Sequence, residues 1–113
     1  MTGAERIAIV EQAIARYNAQ DADGYAAFFA ADGCEALYRG DVLRAGRDAV
    51  RDGNATTFAE FPQNRAEIAA SYALGDHVVL HEVVHRAADV APFEVISIYT
   101  FDEDRIARVE FVK

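Results

Sequence analysis

The stretch Gly75-Asp-His-Val-Val-Leu-His-Glu-Val-Val-His-Arg86 carries all three histidines of the chain, at 77, 81 and 85. A spacing of four would stack them on one face of a helix and suggest a metal site. The residues between them argue against it. Val78, Val79, Val83 and Val84 are β-branched and suit a pleated strand, and Gly75-Asp76 ahead of them reads as a turn. The pattern predicts a strand over 77–86. Four strand residues span roughly 13 Å, too far for two imidazoles to share one ion, so no metal is expected. Side chains then alternate. His77, Val79, His81, Val83 and His85 share one face; Val78, Leu80, Glu82, Val84 and Arg86 share the other. Both faces are apolar at their centre, so both are expected to be covered. The face with a histidine set between two valines is the one we expect to look inward and to carry function.

Outward from this strand, a period of two also marks residues 65–73, 93–101 and 105–112. Turns at Gly75-Asp76 and Asp102-Glu-Asp104 join two of the pairs, and Ala87 to Pro92 is a longer connection. The first half is helical. Ile7, Val10, Ile14 and Tyr17 recur at helical spacing within a helix over 4–19. Asp21 or Asp23 caps a second, short helix over Tyr25 to Ala31, which buries Phe28 and Phe29. Cys34 to Tyr38 is a short strand, and Val42 to Ala45 continues extended. A third helix opens at Gly46-Arg-Asp-Ala-Val50, with Asp48 favourable near its N-terminus, and ends before Pro62. Helices first, with one strand among them, then four strands, indicate an α+β fold with a mostly antiparallel sheet. The 113 residues read as one domain, 1–113.

A composition of 52% hydrophobic and 27% charged residues supplies one core and room for a cavity. The net charge of −8 argues against nucleic acid as a partner and gives no reason to expect an anionic membrane. Cys34 is alone, which excludes an internal disulfide and a cysteine-based metal cluster. The N-terminus is charged and amphipathic, and no window reaches the apolar length of a membrane span, so a cytoplasmic protein is expected. No cofactor motif is present.

A resemblance follows from Tyr17-Asn-Ala-Gln-Asp-Ala-Asp-Gly-Tyr-Ala-Ala-Phe-Phe-Ala-Ala-Asp32, Gly46-Arg-Asp-Ala-Val50, Phe61-Pro62, Gly75-Asp76-His-Val-Val-Leu-His-Glu82 and Ile98-Tyr-Thr-Phe-Asp-Glu-Asp-Arg-Ile-Ala-Arg-Val-Glu-Phe111. In order and spacing these segments resemble the NTF2-like superfamily, in particular its SnoaL-like and ketosteroid-isomerase-like branch. The resemblance implies three helices packed on the concave side of a strongly curved sheet, forming a cone. It also implies a pocket at the cone's mouth for a small, largely apolar molecule, and a homodimer paired through the outer sheet face. In ketosteroid isomerases the chemistry rests on a tyrosine in the first helix, an aspartate base at the end of the first strand and a protonated aspartic acid on a later strand. A gapless match puts Ala13, Leu37 and Ser97 at these positions. None carries the required group, so steroid isomerisation by that route is not expected.

Inward positions offer another set. Tyr17 lies one turn beyond Ala13, and Glu35 shares the face of Leu37. Strand parity is taken to place His81, Val83 and His85 inward with Ser97, Tyr99, Val109 and Phe111, and Phe58 is assigned to the cavity wall. His81 is the candidate general base near pH 7, with Glu35 and Tyr17 as its catalytic partners. Tyr99, Ser97, His85, Val83, Leu37, Ala13, Phe58, Val109 and Phe111 are the candidate ligand-binding residues. Plainer readings stand beside these. His81 is also consistent with a hydrogen-bonded wall residue, Glu35 with a rim carboxylate paired to Arg39 or Arg44, and Tyr17 and Tyr99 with amphipathic lining. The function expected is binding of a small apolar molecule with isomerase, lyase or hydrolase chemistry of the acid–base type. The alternative is a non-catalytic dimeric interaction module.

Overall fold

The computed structural model describes residues 1–113. In chain order the elements are α1 (Gly3–Asn18), α2 (Ala22–Ala26), β1 (Phe29–Leu37), β2 (Val42–Ala45), α3 (Arg47–Glu60), β3 (Arg65–Leu74), β4 (His77–His85), β5 (Phe93–Asp102) and β6 (Arg105–Val112).

Helix α1 begins where its donors can be satisfied. The Thr2 side chain accepts from the Glu5 backbone N–H, and the Glu5 carboxylate accepts in return from the Thr2 N–H. This capping box closes two otherwise orphaned donors. The helix turns Val10, Ala13 and Ile14 into the core. Asp21 caps α2 by accepting from the Gly24 N–H. That helix ends at Ala26 rather than Ala31, and Phe29 already belongs to β1 instead of a helix. The Ala-rich segment favours helix locally, but Phe29 lies alongside Ile106 in the β1–β6 ladder and both are fully buried. Burial of that pair outweighs helix propensity worth a few tenths of a kcal/mol per residue. Helix α3 runs through Gly53-Asn54 unbroken. Asn54 is buried and donates to the Val50 carbonyl, and a side chain at Gly53 would collide with the Arg44 guanidinium.

The six strands form one sheet in the order β2-β1-β6-β5-β4-β3. Every pair is antiparallel except β1 with β6. Bulges between Glu35 and Ala36, Ile68 and Ala70, and Thr100 and Phe101 bend the strands. The three helices pack against the concave side, and the core lies between.

The orientation of β4 is the reverse of the one the sequence suggested. Val78, Leu80, Glu82 and Val84 are buried, while His81, Val83 and His85 are only half-buried, on the outer face. The register explains why. Val78 stands opposite Tyr99 and Leu80 opposite Ser97. Directly opposed residues of an antiparallel pair share a face. Ser97 and Tyr99 do point inward, so they bring Val78, Leu80 and Glu82 with them and force His81 outward. A shift of one residue in register inverts every side chain of a strand. The connection from Ala87 to Pro92 is too long for the turn chemistry to fix that register from sequence.

Candidate functional site

A cavity of about 110 Å³ opens between the helices and the inner sheet face. Tyr17 of α1 and Tyr25 of α2 enter it from one side, and Asn54 and Thr57 of α3 from another. Glu35, Glu82, Tyr99 and Phe111 reach it from the sheet. Val84, Val95 and Phe93 supply apolar wall, and Arg44, Arg86 and Lys113 bring three positive charges.

Glu35 is the best-anchored polar group. It is 2% exposed, so it is not a rim residue, although its partner is one of the two expected. Arg44 Nη1 donates to Oε1 at 2.7 Å, Asn54 Nδ2 donates to the same oxygen at 3.1 Å, and the Tyr25 hydroxyl donates to Oε2 at 3.1 Å. A buried carboxylate needs such partners, because its desolvation is offset only by a counter-ion and hydrogen bonds together. Tyr25 is itself buried, and its hydroxyl is held well above the ordinary phenol range by burial and by the adjacent Glu35 charge. It therefore stays a donor.

Glu82 is the opposite case. It is 6% exposed, no cation pairs with it, and its Oε1 has no hydrogen-bond partner. Burial pushes its carboxyl up to about 7. The hydroxyl of Ser97, diagonally across on β5, acts weakly the other way, but Ser97 Oγ also lacks a partner in hydrogen-bonding geometry. Tyr99 stays protonated, since burial and then the Glu82 and Glu35 carboxylates raise its hydroxyl well above the usual range.

Of the sequence candidates, Tyr17, Glu35, Tyr99 and Phe111 line the cavity. Ala13, Phe58, Val109 and Ser97 are buried beside it without lining it; Phe58 packs edge-on against Tyr17 at 5.0 Å between ring centroids. Leu37 is half-buried near the end of β1, away from the cavity lining. Three residues need correction. His81 points to the outer face, where Nε2 lies 2.6 Å from the Glu94 carboxylate. His85 lies on the same face with Nε2 at 3.6 Å from Glu67, and Val83 stands between them. None of the three reaches the cavity. Its near-neutral titrating group is Glu82, a residue the sequence reading placed on the face it set aside. A signal was available there: a lone carboxylate between Leu80 and Val84, with no basic residue two positions away on either side. Arg44 was expected as a partner of Glu35, whereas Asn54 and Tyr25 were missed, because they come from two other elements, α3 and α2.

The family model of the SnoaL-like domain matches residues 10–109. The chain belongs to the SnoaL-like family. Solved structures agree with this membership. An uncharacterised cystatin-fold protein from Novosphingobium aromaticivorans is 43% identical, with a TM-score of 0.91 over 96% of this chain and 97% of that one. A protein from Sphaerobacter thermophilus is 31% identical, with a TM-score of 0.76 over 94% and 93%. A hypothetical protein with a ketosteroid isomerase-like fold from Catenulispora acidiphila, solved with trimethylamine, is 24% identical, with a TM-score of 0.77 over 93% and 84%. The last shows the fold alone. No curated protein matches the chain. The α+β cone expected from the resemblance is thus the fold of this SnoaL-like domain.

Proposed function

We propose that this SnoaL-like protein binds a small, partly apolar molecule in its cavity and moves a proton on it, with Glu82 as the group that takes and returns the proton. The observation that carries the reading is the buried, unpaired Glu82 Oε1 on the cavity wall, on a carboxyl poised at about 7. A general base works best when its pKa lies near the working pH. The chemistry that fits is abstraction of a proton next to a carbonyl, as in an isomerase or lyase. The Glu82 carboxylate takes the proton from carbon, the C–H electron pair moves toward the carbonyl oxygen, and the proton is returned at the same or another carbon. Tyr17 is placed to help. Its oxygen accepts from Arg86 Nη1 at 3.2 Å, which leaves its own O–H free to donate to a developing oxyanion. Glu35 acts as a positioning residue that fixes Arg44 and Tyr25.

The cavity's size limits the ligand. A dry cavity of about 150 Å³ accommodates benzene, so about 110 Å³ takes a short branched chain, or a small ring that protrudes in part through the mouth. The test is α-proton exchange of cyclohexanone in D₂O followed by NMR. Wild type should accelerate exchange over buffer, and Glu82→Gln should lose that acceleration. Equal exchange by both proteins would sink the reading.

We also propose that the outer sheet face pairs two copies. Tyr72, Val79 and Ile98 sit side by side across β3, β4 and β5, with Ile96 and Val112 adjacent. Tyr72 is 68% exposed and Leu74 84%. A contiguous apolar stripe on a sheet is more than isolated surface residues require.

A further inference from the structure

The cavity holds a cation that the proton transfer leaves partly unused. Arg86 directly follows β4 and turns its guanidinium into the space that Glu82 also lines. Nη1 donates to the Tyr17 hydroxyl at 3.2 Å and to Asn64 Oδ1 at 2.6 Å. The guanidinium carbon lies 5.4 Å from the Phe93 ring centroid and 6.0 Å from that of Phe61. All of these partners are neutral. No carboxylate of the chain stands within ion-pair distance of it. Arg44 differs, since Glu35 already neutralises it.

A half-buried guanidinium without a counter-ion is costly, and its planar fork of five donors matches a carboxylate. Here only Nη1 is engaged by protein, so Nε and Nη2 keep their donors. The charge around the cavity points the same way. Its ionisable groups besides tyrosines are Glu35, Glu82, Arg44, Arg86 and Lys113. With Glu82 protonated, three cations face one carboxylate; with Glu82 ionised, three face two. The cavity is positive in both states, within a chain of net charge −8. A positive recess in an acidic surface concentrates small anions and turns cations away.

We propose that the cavity selects a small organic anion, a carboxylate seated on the free edge of Arg86 with its apolar body against Val84, Val95 and Phe93. This rests on the cavity being the site of action and names its substrate class: a small oxo or unsaturated acid, with the carbon that exchanges its proton facing Glu82. Arg86 then acts as a binding residue that sets which end of the ligand meets Glu82.

The experiment compares matched acids and amides, which differ in charge but little in shape. Benzoate with benzamide, and isobutyrate with isobutyramide, are titrated into the wild-type protein at pH 6 and low salt and followed by NMR shifts. Tetramethylammonium serves as the cationic control. Each acid should bind at least about tenfold more tightly than its amide, the scale of one charge-assisted bidentate contact. Arg86→Gln should bring each ratio to within about twofold, and Arg86→Lys should keep part of it. Acid and amide binding equally to wild type, or tetramethylammonium binding more tightly than benzoate, would overturn the anion assignment and leave the cavity reading standing. No shift with any probe would overturn both. The wild-type comparison decides the matter even if a variant fails to fold.

Discussion

Glu35 and Glu82 enter one cavity from β1 and β4, yet Glu35 has a cation at 2.7 Å while Glu82 has none. This asymmetry divides their roles. A carboxylate held by Arg44, Asn54 and Tyr25 has its lone pairs committed and serves to fix the wall. One left without a partner in the same low-dielectric space is the one whose proton is exchangeable near neutral pH.

The Glu35 network should be expensive to break. Glu35→Ala removes the only carboxylate within reach of Arg44 and leaves the Asn54 amide and the Tyr25 hydroxyl without their acceptor. A loss of about 3 kcal/mol or more is expected, as for other disrupted buried pairs. Glu35→Gln, which keeps the shape and one acceptor, should cost less. Urea unfolding of both variants reads the difference.

Stability should fall as pH rises through neutrality, and Glu82 should be the cause. Its carboxyl stands at about 7 in the folded chain against 4.5 when solvated. Below about pH 4.5 the group is protonated in both states and costs nothing. Between the two values the folded state binds more protons, so stability declines with pH. Above 7 the fold carries a buried charge worth about 3 kcal/mol at most. Glu82→Gln should therefore match wild type near pH 4 and melt several degrees higher at pH 8, which thermal melts across that range will show.

His81 should matter little to the cavity. Its side chain is 38% exposed and faces Glu94 on the outer surface. His81→Ala should cost less than about 1 kcal/mol and leave cyclohexanone exchange unchanged. A loss of exchange comparable to that of Glu82→Gln would contradict the observed orientation of β4.

The outer stripe makes a prediction about assembly. Tyr72→Glu with Leu74→Glu should convert a dimer to a monomer in light scattering, since charges in an apolar stripe oppose its burial. Monomeric wild-type protein at micromolar concentration would remove the dimer proposal.

The elements were legible in the sequence because local pattern specifies them: alternation in β3 to β6, helical spacing in α1, an N-capping aspartate ahead of α2. Phe29 was misassigned because its strand depends on Ile106, 77 positions away. Glu35 and Tyr17 were found from the positions they hold in β1 and α1. Glu82 was not, because alternation groups residues into faces without saying which face is inside. The pairing of Leu80 with Ser97 says so, and that is a long-range fact. His81 drew attention because histidine is the usual general base, whereas in the cavity burial brings a glutamate toward neutrality.

The decisive measurement is a titration of the Glu82 side chain by carbon NMR, with Glu82→Gln used to assign the resonance. A midpoint near 7 is predicted. A midpoint near 4.5, the value of a freely solvated glutamate, would mean that this carboxylate is not buried and unpaired, and the proton-transfer role would fall with it.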